Sequence, residues 1–272
     1  MNSVAIIPAR MESSRFPNKP MKKILGMPMI GHCYQRTQLS QRLQATYVAT
    51  CNEEIFDYIE SIGGKAVMTS SAHTRATSRT VEAIKIIEND QQQNIDVVLM
   101  VQGDEPLIHH KVVDHLLSQF TDNTIHVANV MSQLKTDSAF KDKNNIKVVI
   151  DQDDNALYFS REPIPSHWSS NHLVPRYMQT GVIAFRRNAL LNFNNMEETP
   201  LEQIESIDMN RILETGGRIK NAIDLKHSAI SYYLSKTLVQ IQNRGFNYIF
   251  NAINKILLEA AVIESLKFYK KL

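Results

Sequence analysis

Residues 3–9 read Ser-Val-Ala-Ile-Ile-Pro-Ala, a short and continuously apolar run that ends at a proline pair-breaker and a polar loop. Such a run predicts a strand buried on both faces, as in a parallel sheet. Outward from it, residues 28–43 place Met29, Ile30, Cys33 and Tyr34 at helical spacing. Pro28 suits a first helical turn, where its missing N–H costs nothing. Residues 45–50 predict a second strand, 53–62 a helix stopped by Gly63-Gly64, and 65–69 a third strand. Val81, Ile84 and Ile87 make 80–88 helical, and 96–102 (DVVLMVQ) is the fourth and most apolar strand. Strand and helix alternate over short connections. The expected fold class is α/β, a doubly wound, mostly parallel, Rossmann-like sheet.

The second half is less regular. Strands are expected at 124–131, 146–150, 156–159 and 181–185, with 151–155 (DQDDN) as a turn, and 202–214 as an amphipathic helix stopped by Gly216-Gly217. Beyond residue 228, Leu234, Leu238, Ile241, Phe246, Ile249, Ile253, Leu257 and Ala261 drift at near-helical spacing. With no internal repeat or clear linker, one domain is expected over 1–236. Its first part covers about 1–120 and a smaller subregion about 121–236, followed by a helical extension over 237–272.

Composition narrows the function classes. The 272 residues are 43% hydrophobic and 21% charged, with a formal net charge of +2. That excludes wholesale disorder and gives a poor electrostatic footprint for nucleic acid, which needs clustered Lys and Arg. Cys33 and Cys51 form no metal-like pattern and read as two buried structural thiols in a reducing compartment. Residues 4–8 are too short for a signal or a span, so a cytoplasmic protein without membrane contact is expected. His109, His110 and His115 lack a partner set for metal.

The loop after the first strand, residues 8–20 (PARMESSRFPNKP), leaves the sheet at its carboxyl edge, where ligands of such sheets bind. Its two arginines, lysine and two hydroxyls can wrap a polyphosphate through backbone N–H groups and charge-assisted bonds. It has no glycine, so it is neither a Walker loop nor a dinucleotide turn. Its charge alone fits a solvated surface loop equally well. Gln102-Gly103-Asp104-Glu105-Pro106 follows the most apolar strand and puts Asp104 at the same edge. Gly103 permits close backbone approach, and Asp104 can hold a divalent cation against phosphate oxygens. A carboxylate after a strand is also a common helix N-cap. A basic loop and an acidic strand end at one edge together point to metal-assisted phosphoryl or nucleotidyl transfer.

The run IIPARMESSRFPNKPMKKILGMPMI (6–30) resembles the opening of the CMP-KDO synthetase family, the 3-deoxy-manno-octulosonate cytidylyltransferases. The likeness continues in YVAT (47–50), GGKAVMT (63–69), VQGDEP (101–106), IKVV (146–149), ALYFSR (156–161) and PLEQIE (200–205), about residues 3–218 in all. By that resemblance the fold is a nucleotidyltransferase, and an acceptor hydroxyl attacks the α-phosphate of CTP with release of pyrophosphate. Arg10 and Lys19 match triphosphate-binding residues, and Asp104 matches a magnesium ligand; these three are the expected catalytic set. Ser13, Ser14, Arg15, His73, Thr77, Gln102 and Gly103 complete the expected nucleotide site, although His73 reads equally as a surface-loop histidine. Arg161, Gln179, Glu202 and Glu205 form the expected site for a small acidic acceptor, in the subregion that also makes a homodimer.

The departures cluster. Asn18 stands where the family usually has glycine, which asparagine tolerates because it visits left-handed conformations. Ala76-Thr77-Ser78-Arg79 lacks an acidic residue of the family pattern. Gln179 and Ile183 replace a histidine and a tyrosine, and Ser231 replaces the aspartate that is the family's second metal ligand; Asp224 lies seven positions upstream of it. These losses admit a KDO-type enzyme, an enzyme for another acid or phosphonate, or a degenerate nucleotide-binding or partner-binding homologue.

Overall fold

The computed structural model describes residues 1–12, 17–166, 168 and 175–224. Ser13, Ser14, Arg15, Ser231 and the expected extension over 237–272 lie outside the described residues.

The first part alternates as expected: β1 (Ser3–Ala9), a tight hairpin of β2 (Lys23–Ile24) and β3 (Met27–Pro28), α1 (Met29–Thr37), β4 (Ala45–Thr50), α2 (Glu53–Ser61), β5 (Ala66–Met68), α3 (Ala76–Gln91), β6 (Val97–Val101) and α4 (His110–Ser118). The second part adds β7 (Val127–Gln133), α5 (Asp137–Lys141), β8 (Lys147–Ile150), β9 (Ala156–Ser160), β10 (Tyr177–Arg186), α6 (Arg187–Asn195), α7 (Pro200–Glu205), α8 (Asn210–Glu214) and β11 (Lys220–Asp224).

One nine-stranded sheet holds both parts, in the order β11-β7-β10-β6-β1-β4-β5, with β8 and β9 branching from β10. β5, β4, β1 and β6 are parallel, and β10 runs against β6 and β7. The sheet is therefore mixed but mostly parallel. Alternation along β1 explains its uninterrupted apolar sequence. Val4 and Ile6 pack into one core with Val81, Ile84 and Ile87 of α3, while Ala5, Ile7 and Ala9 pack into the other with Ile30 and Cys33 of α1 and Ile55 of α2. A strand covered on both faces needs apolar residues at every position.

Differences from expectation have local causes. The helix expected at 28–43 is shorter, because Pro28 closes the β2–β3 hairpin, whose turn residues Leu25 and Gly26 both have positive φ. The helix after Asp104 starts later, with His109 as its cap. Residues 202–214 are two helices: Ser206 is left-handed (φ 53°), and Asn210 turns inward to bond both the N–H and the carbonyl of Phe159. β10 is twice the expected length, because polar Gln179 and Thr180 sit inside it beside a register shift. Cys33 is buried as expected, but Cys51 is only half-buried.

Candidate functional site

The ends of β1 and β6 meet the middle of β10 at the carboxyl edge of the sheet. Gly103, just past β6, lies so close to β1 that a Cβ there would meet the Pro8 carbonyl at 3.2 Å and the Ala9 Cβ at 3.5 Å. Gly181 of β10 is pinned to the same turn: its carbonyl accepts from Gln102 N at 2.8 Å, and its N–H donates to Glu105 Oε1 at 3.0 Å. The 102–105 turn is thereby wedged between β1 and β10, and Gln102 and Asp104 remain accessible at its outer side.

The loop after β1 is organised by Asn52, which follows β4. Its Oδ1 accepts from Met11 N at 3.0 Å and its Nδ2 donates to Glu12 Oε1 at 3.3 Å. The N–H of Glu12 itself, and after it the Asn52 amide, lower the pKa of the Glu12 carboxyl. Asn18 then returns the chain to Met11 O at 3.1 Å, in a left-handed conformation of φ 58° and ψ 24°. This is the conformation a glycine would adopt freely, and asparagine is among the few residues that replace it at small cost. The turn starts a short 3-10 segment, Lys19–Met21, and delivers the Lys19 ammonium to Asp104 Oδ2 at 2.7 Å. Lys19 is 20% and Asp104 39% exposed, so the pair faces solvent rather than the core. Arg10, immediately after β1, is an exposed cation. Beneath the turn, burial pushes the Cys33 thiol well up, with the charges of Asp104 and Glu105 adding to it.

The neighbouring segment after β5 carries His73 and Thr77. Buried Arg79 shapes it, donating to Thr69 Oγ1, Ser70 O and His73 O. His73 Nε2 lies 2.5 Å from Glu82, which also accepts from Ser70 N at 2.8 Å. Thr77 is in the buried first turn of α3. Ser78, at the position lacking an acid, caps back onto Arg75 O at 3.1 Å.

The expected acceptor residues are arranged differently. Arg161 donates to the carbonyls of Glu205 (2.7 Å), Lys143 (3.1 Å) and Ser206 (3.2 Å). Glu205 accepts from Ser160 Oγ at 2.6 Å, Arg161 N at 2.8 Å and Tyr158 OH at 3.1 Å. Burial pushes the Glu205 carboxyl up, but these donors outweigh it and leave the pKa below the usual value. Fully buried Lys147 caps the same knot, donating to the carbonyls of Asp142, Asn145 and Arg161. Its burial lowers its pKa. Glu202 is 0% exposed and makes two 2.6 Å bonds to Arg211, so it shapes this wall without facing an acceptor. Gln179 is mostly buried on β10, two residues before Gly181.

Lys19, Asp104, Gln102 and Gly103 are thus brought together directly, with Arg10 flanking them. Arg161 and Glu205 form a second cluster of their own. Asn52, Glu105 and Lys147 were not among the expected site residues. Asn52 and Glu105 follow buried strands, and that position is the signal that could have found them; Lys147 carries no such mark.

A mostly parallel α/β sheet with Lys19 and the half-exposed Asp104 paired at its carboxyl edge, beside the exposed Arg10, is the arrangement of a nucleotide-handling enzyme. The family model for cytidylyltransferases matches residues 4–222. The 3-deoxy-manno-octulosonate cytidylyltransferase of Fusobacterium nucleatum is 36% identical over 244 residues, covering 89% of this chain and 96% of that protein. The 8-amino-3,8-dideoxy-manno-octulosonate cytidylyltransferase of Shewanella pealeana is 39% identical over 225 residues, covering 82% and 90%. A CMP:2-keto-3-deoxy-manno-octonic acid synthetase solved in complex with CTP superposes with a TM-score of 0.77 at 30% identity, covering 88% of this chain and 99% of that one. The chain belongs to the cytidylyltransferase family.

Proposed function

We propose that the protein transfers CMP from CTP to a hydroxyl of a 3-deoxy-manno-octulosonate-type sugar acid and releases pyrophosphate, for lipopolysaccharide or capsule precursors. The observation that carries this reading is the Lys19–Asp104 pair, 2.7 Å apart and partly exposed at the sheet edge, in a chain so similar to enzymes with that name. The acceptor oxygen forms a bond to the α-phosphorus, the bond to the β-phosphate bridging oxygen breaks, and the hydroxyl proton leaves to solvent. Arg10 and Lys19 neutralise charge that builds on the departing pyrophosphate, a contribution that grows toward the transition state. Gln102, Gly103, Thr77 and His73 line the nucleotide side, and Ser13, Ser14 and Arg15 are assigned to nucleotide binding by the family resemblance alone. Arg161, whose planar fork has N–H donors beyond the three already engaged, suits the acceptor carboxylate, with Glu205 beside it, and Gln179 on β10 is the further acceptor residue of this reading.

Magnesium is the implied cofactor. A single half-exposed carboxylate fits an ion that is held by one or two carboxylates plus substrate phosphates, and no group of three or more His, Cys, Asp or Glu forms a protein cage among the described residues. Asp104 would hold it, and the ion when bound would polarise the phosphate oxygens. A homodimer is the assembly the family resemblance implies. No described helix is long and apolar enough to cross a membrane, and CTP as donor favours a cytoplasmic location.

Pyrophosphate release tests the reading, with CTP, UTP and ATP against 3-deoxy-manno-octulosonate, its 8-amino analogue and a phosphonate. Release with CTP and an octulosonate is expected. Lys19→Ala and Asp104→Ala each should lower kcat by roughly 10²–10³-fold, as removing one transition-state charge partner does, with melting nearly unchanged. Full turnover in both variants would exclude the mechanism.

A further inference from the structure

Arg75 occupies the N-cap of α3, at φ −109° and ψ 148°, where its side chain makes no capping bond. Locally this is a poor choice. N-caps favour short acceptor side chains, and a cation there opposes the helix dipole. A residue that breaks a local rule needs a compensating interaction elsewhere. The guanidinium supplies it by leaving its own element: one nitrogen pairs with Glu198, and the other lies 3.3 Å from Glu202.

Both ends of this bridge lead into a site. At one end, the Arg75 carbonyl accepts from Ser78 Oγ at 3.1 Å, inside the turn that carries Thr77. The preceding segment is tied by Arg79 to Thr69 and His73. At the other end, Glu202 is locked to Arg211, which stacks on Phe193 at 4.5 Å and donates to the carbonyls of Phe193 and Met196. Glu202 and Glu205 share the six-residue α7, and Glu205 receives Ser160, Tyr158 and the Arg161 N–H. Ion pairs and hydrogen bonds, joined through the α7 backbone between Glu202 and Glu205, run from the nucleotide side to Arg161. Its central link, between Arg75 and Glu198, is open to solvent, with the two side chains 38% and 42% exposed, whereas Glu202 is buried. The solvated link is the one that can be removed without emptying the core.

We propose that Arg75 is a positioning residue that sets α7, and through Glu205 the Arg161 side of the acceptor site, from the nucleotide side. The inference rests on the transfer reading above. Filling the triphosphate site fixes residues 69–79, and Arg75 carries that placement to the acceptor wall. By reciprocity, acceptor and CTP then raise each other's affinity.

The test uses the full chain and compares wild type, R75Q, R75K and E198Q in pyrophosphate release and thermal melting. R75Q is expected to raise the acceptor KM at saturating CTP roughly two- to thirtyfold, the range carried by couplings of this kind, and by reciprocity the CTP KM at saturating acceptor by a similar factor, with kcat little changed. R75K should recover part of the loss, because an ammonium can engage one of the two acids. E198Q should raise the acceptor KM in the same direction, and adding it to R75Q should do nothing further. Should R75Q fail to fold, R75K and E198Q still test the link, each weakening one part of it: E198Q removes the solvent-exposed partner and leaves the Glu202 contact in place. An active wild type whose R75Q and E198Q variants keep the acceptor KM overturns the inference alone. So does a uniform loss of kcat and melting midpoint that R75K does not relieve. A wild type that turns over no acceptor with CTP overturns the transfer reading, and this inference with it.

Discussion

The two ends of the expected site are built in opposite ways. Around Lys19 and Asp104 the charged groups are partly exposed and paired with one another, on a backbone that glycine and a left-handed asparagine bring close to β1. Around Arg161, Glu205 and Lys147 the charged groups are engaged by backbone carbonyls and N–H groups. The first arrangement can exchange its protein partner for a ligand at little cost, since an exposed ion pair contributes only about 0–1 kcal/mol. The second cannot, because each unmade bond to a buried charged group costs more than the bond gains. Charge on the nucleotide side is available for chemistry, and charge on the acceptor side first holds loops in place.

That contrast is sharpest at Glu202. Its bond pair with Arg211 is buried, so Glu202→Ala leaves a guanidinium uncompensated and should destabilise the fold by about 3–5 kcal/mol. Thermal or urea melting reads this directly. A variant of unchanged midpoint that loses only acceptor affinity would make Glu202 a ligand rather than a strut, and would break the comparison.

Glu205 provides a smaller, pH-dependent effect. Its folded pKa is depressed, so the stability it contributes is fully present above the unfolded value of about 4.3 and is lost as pH falls through the folded one. Melting midpoints of Glu205→Gln and wild type should therefore differ at neutral pH and converge as the solution is acidified below that value. A gap independent of pH would show that the carboxylate charge does not organise the wall.

The smallest effect is at Asn18. Its φ of 58° predicts that Asn18→Gly is nearly neutral in melting, whereas Asn18→Ala costs about 1 kcal/mol. Pyrophosphate release should fall in the alanine variant and not in the glycine one, because the turn aims Lys19 at Asp104. Equal behaviour of the two would mean the turn does not set that geometry.

The sequence reveals what repeated burial dictates. β1 and β4 match their expected bounds, and β6 lies within its own, because all three are buried on both faces. The Gly63 stop of α2 holds as well, with Gly63 at φ 72° and Gly64 N closing onto Ile59 O at 2.9 Å. Elements decided by one long-range partner were not legible. The break between α7 and α8 depends on Asn210 reaching Phe159, 51 positions away, and the polar middle of β10 is explained only by the strands on either side. The same limit applies to the site. Lys19 and Asp104 could be joined from sequence because each follows a recognisable strand. By contrast, nothing in the residues around Arg161 or Glu202 distinguishes a ligand contact from a bond to the chain itself.

The central claim is that the sheet edge at Lys19 and Asp104 receives the triphosphate of CTP. Thermal melting with and without CTP and magnesium addresses it most directly. A ligand at 100 times its dissociation constant adds about 2.7 kcal/mol to the folded state, so the wild-type midpoint should rise with CTP and the rise should shrink strongly in Lys19→Ala. No rise in wild type, or an equal rise in the variant, would contradict it.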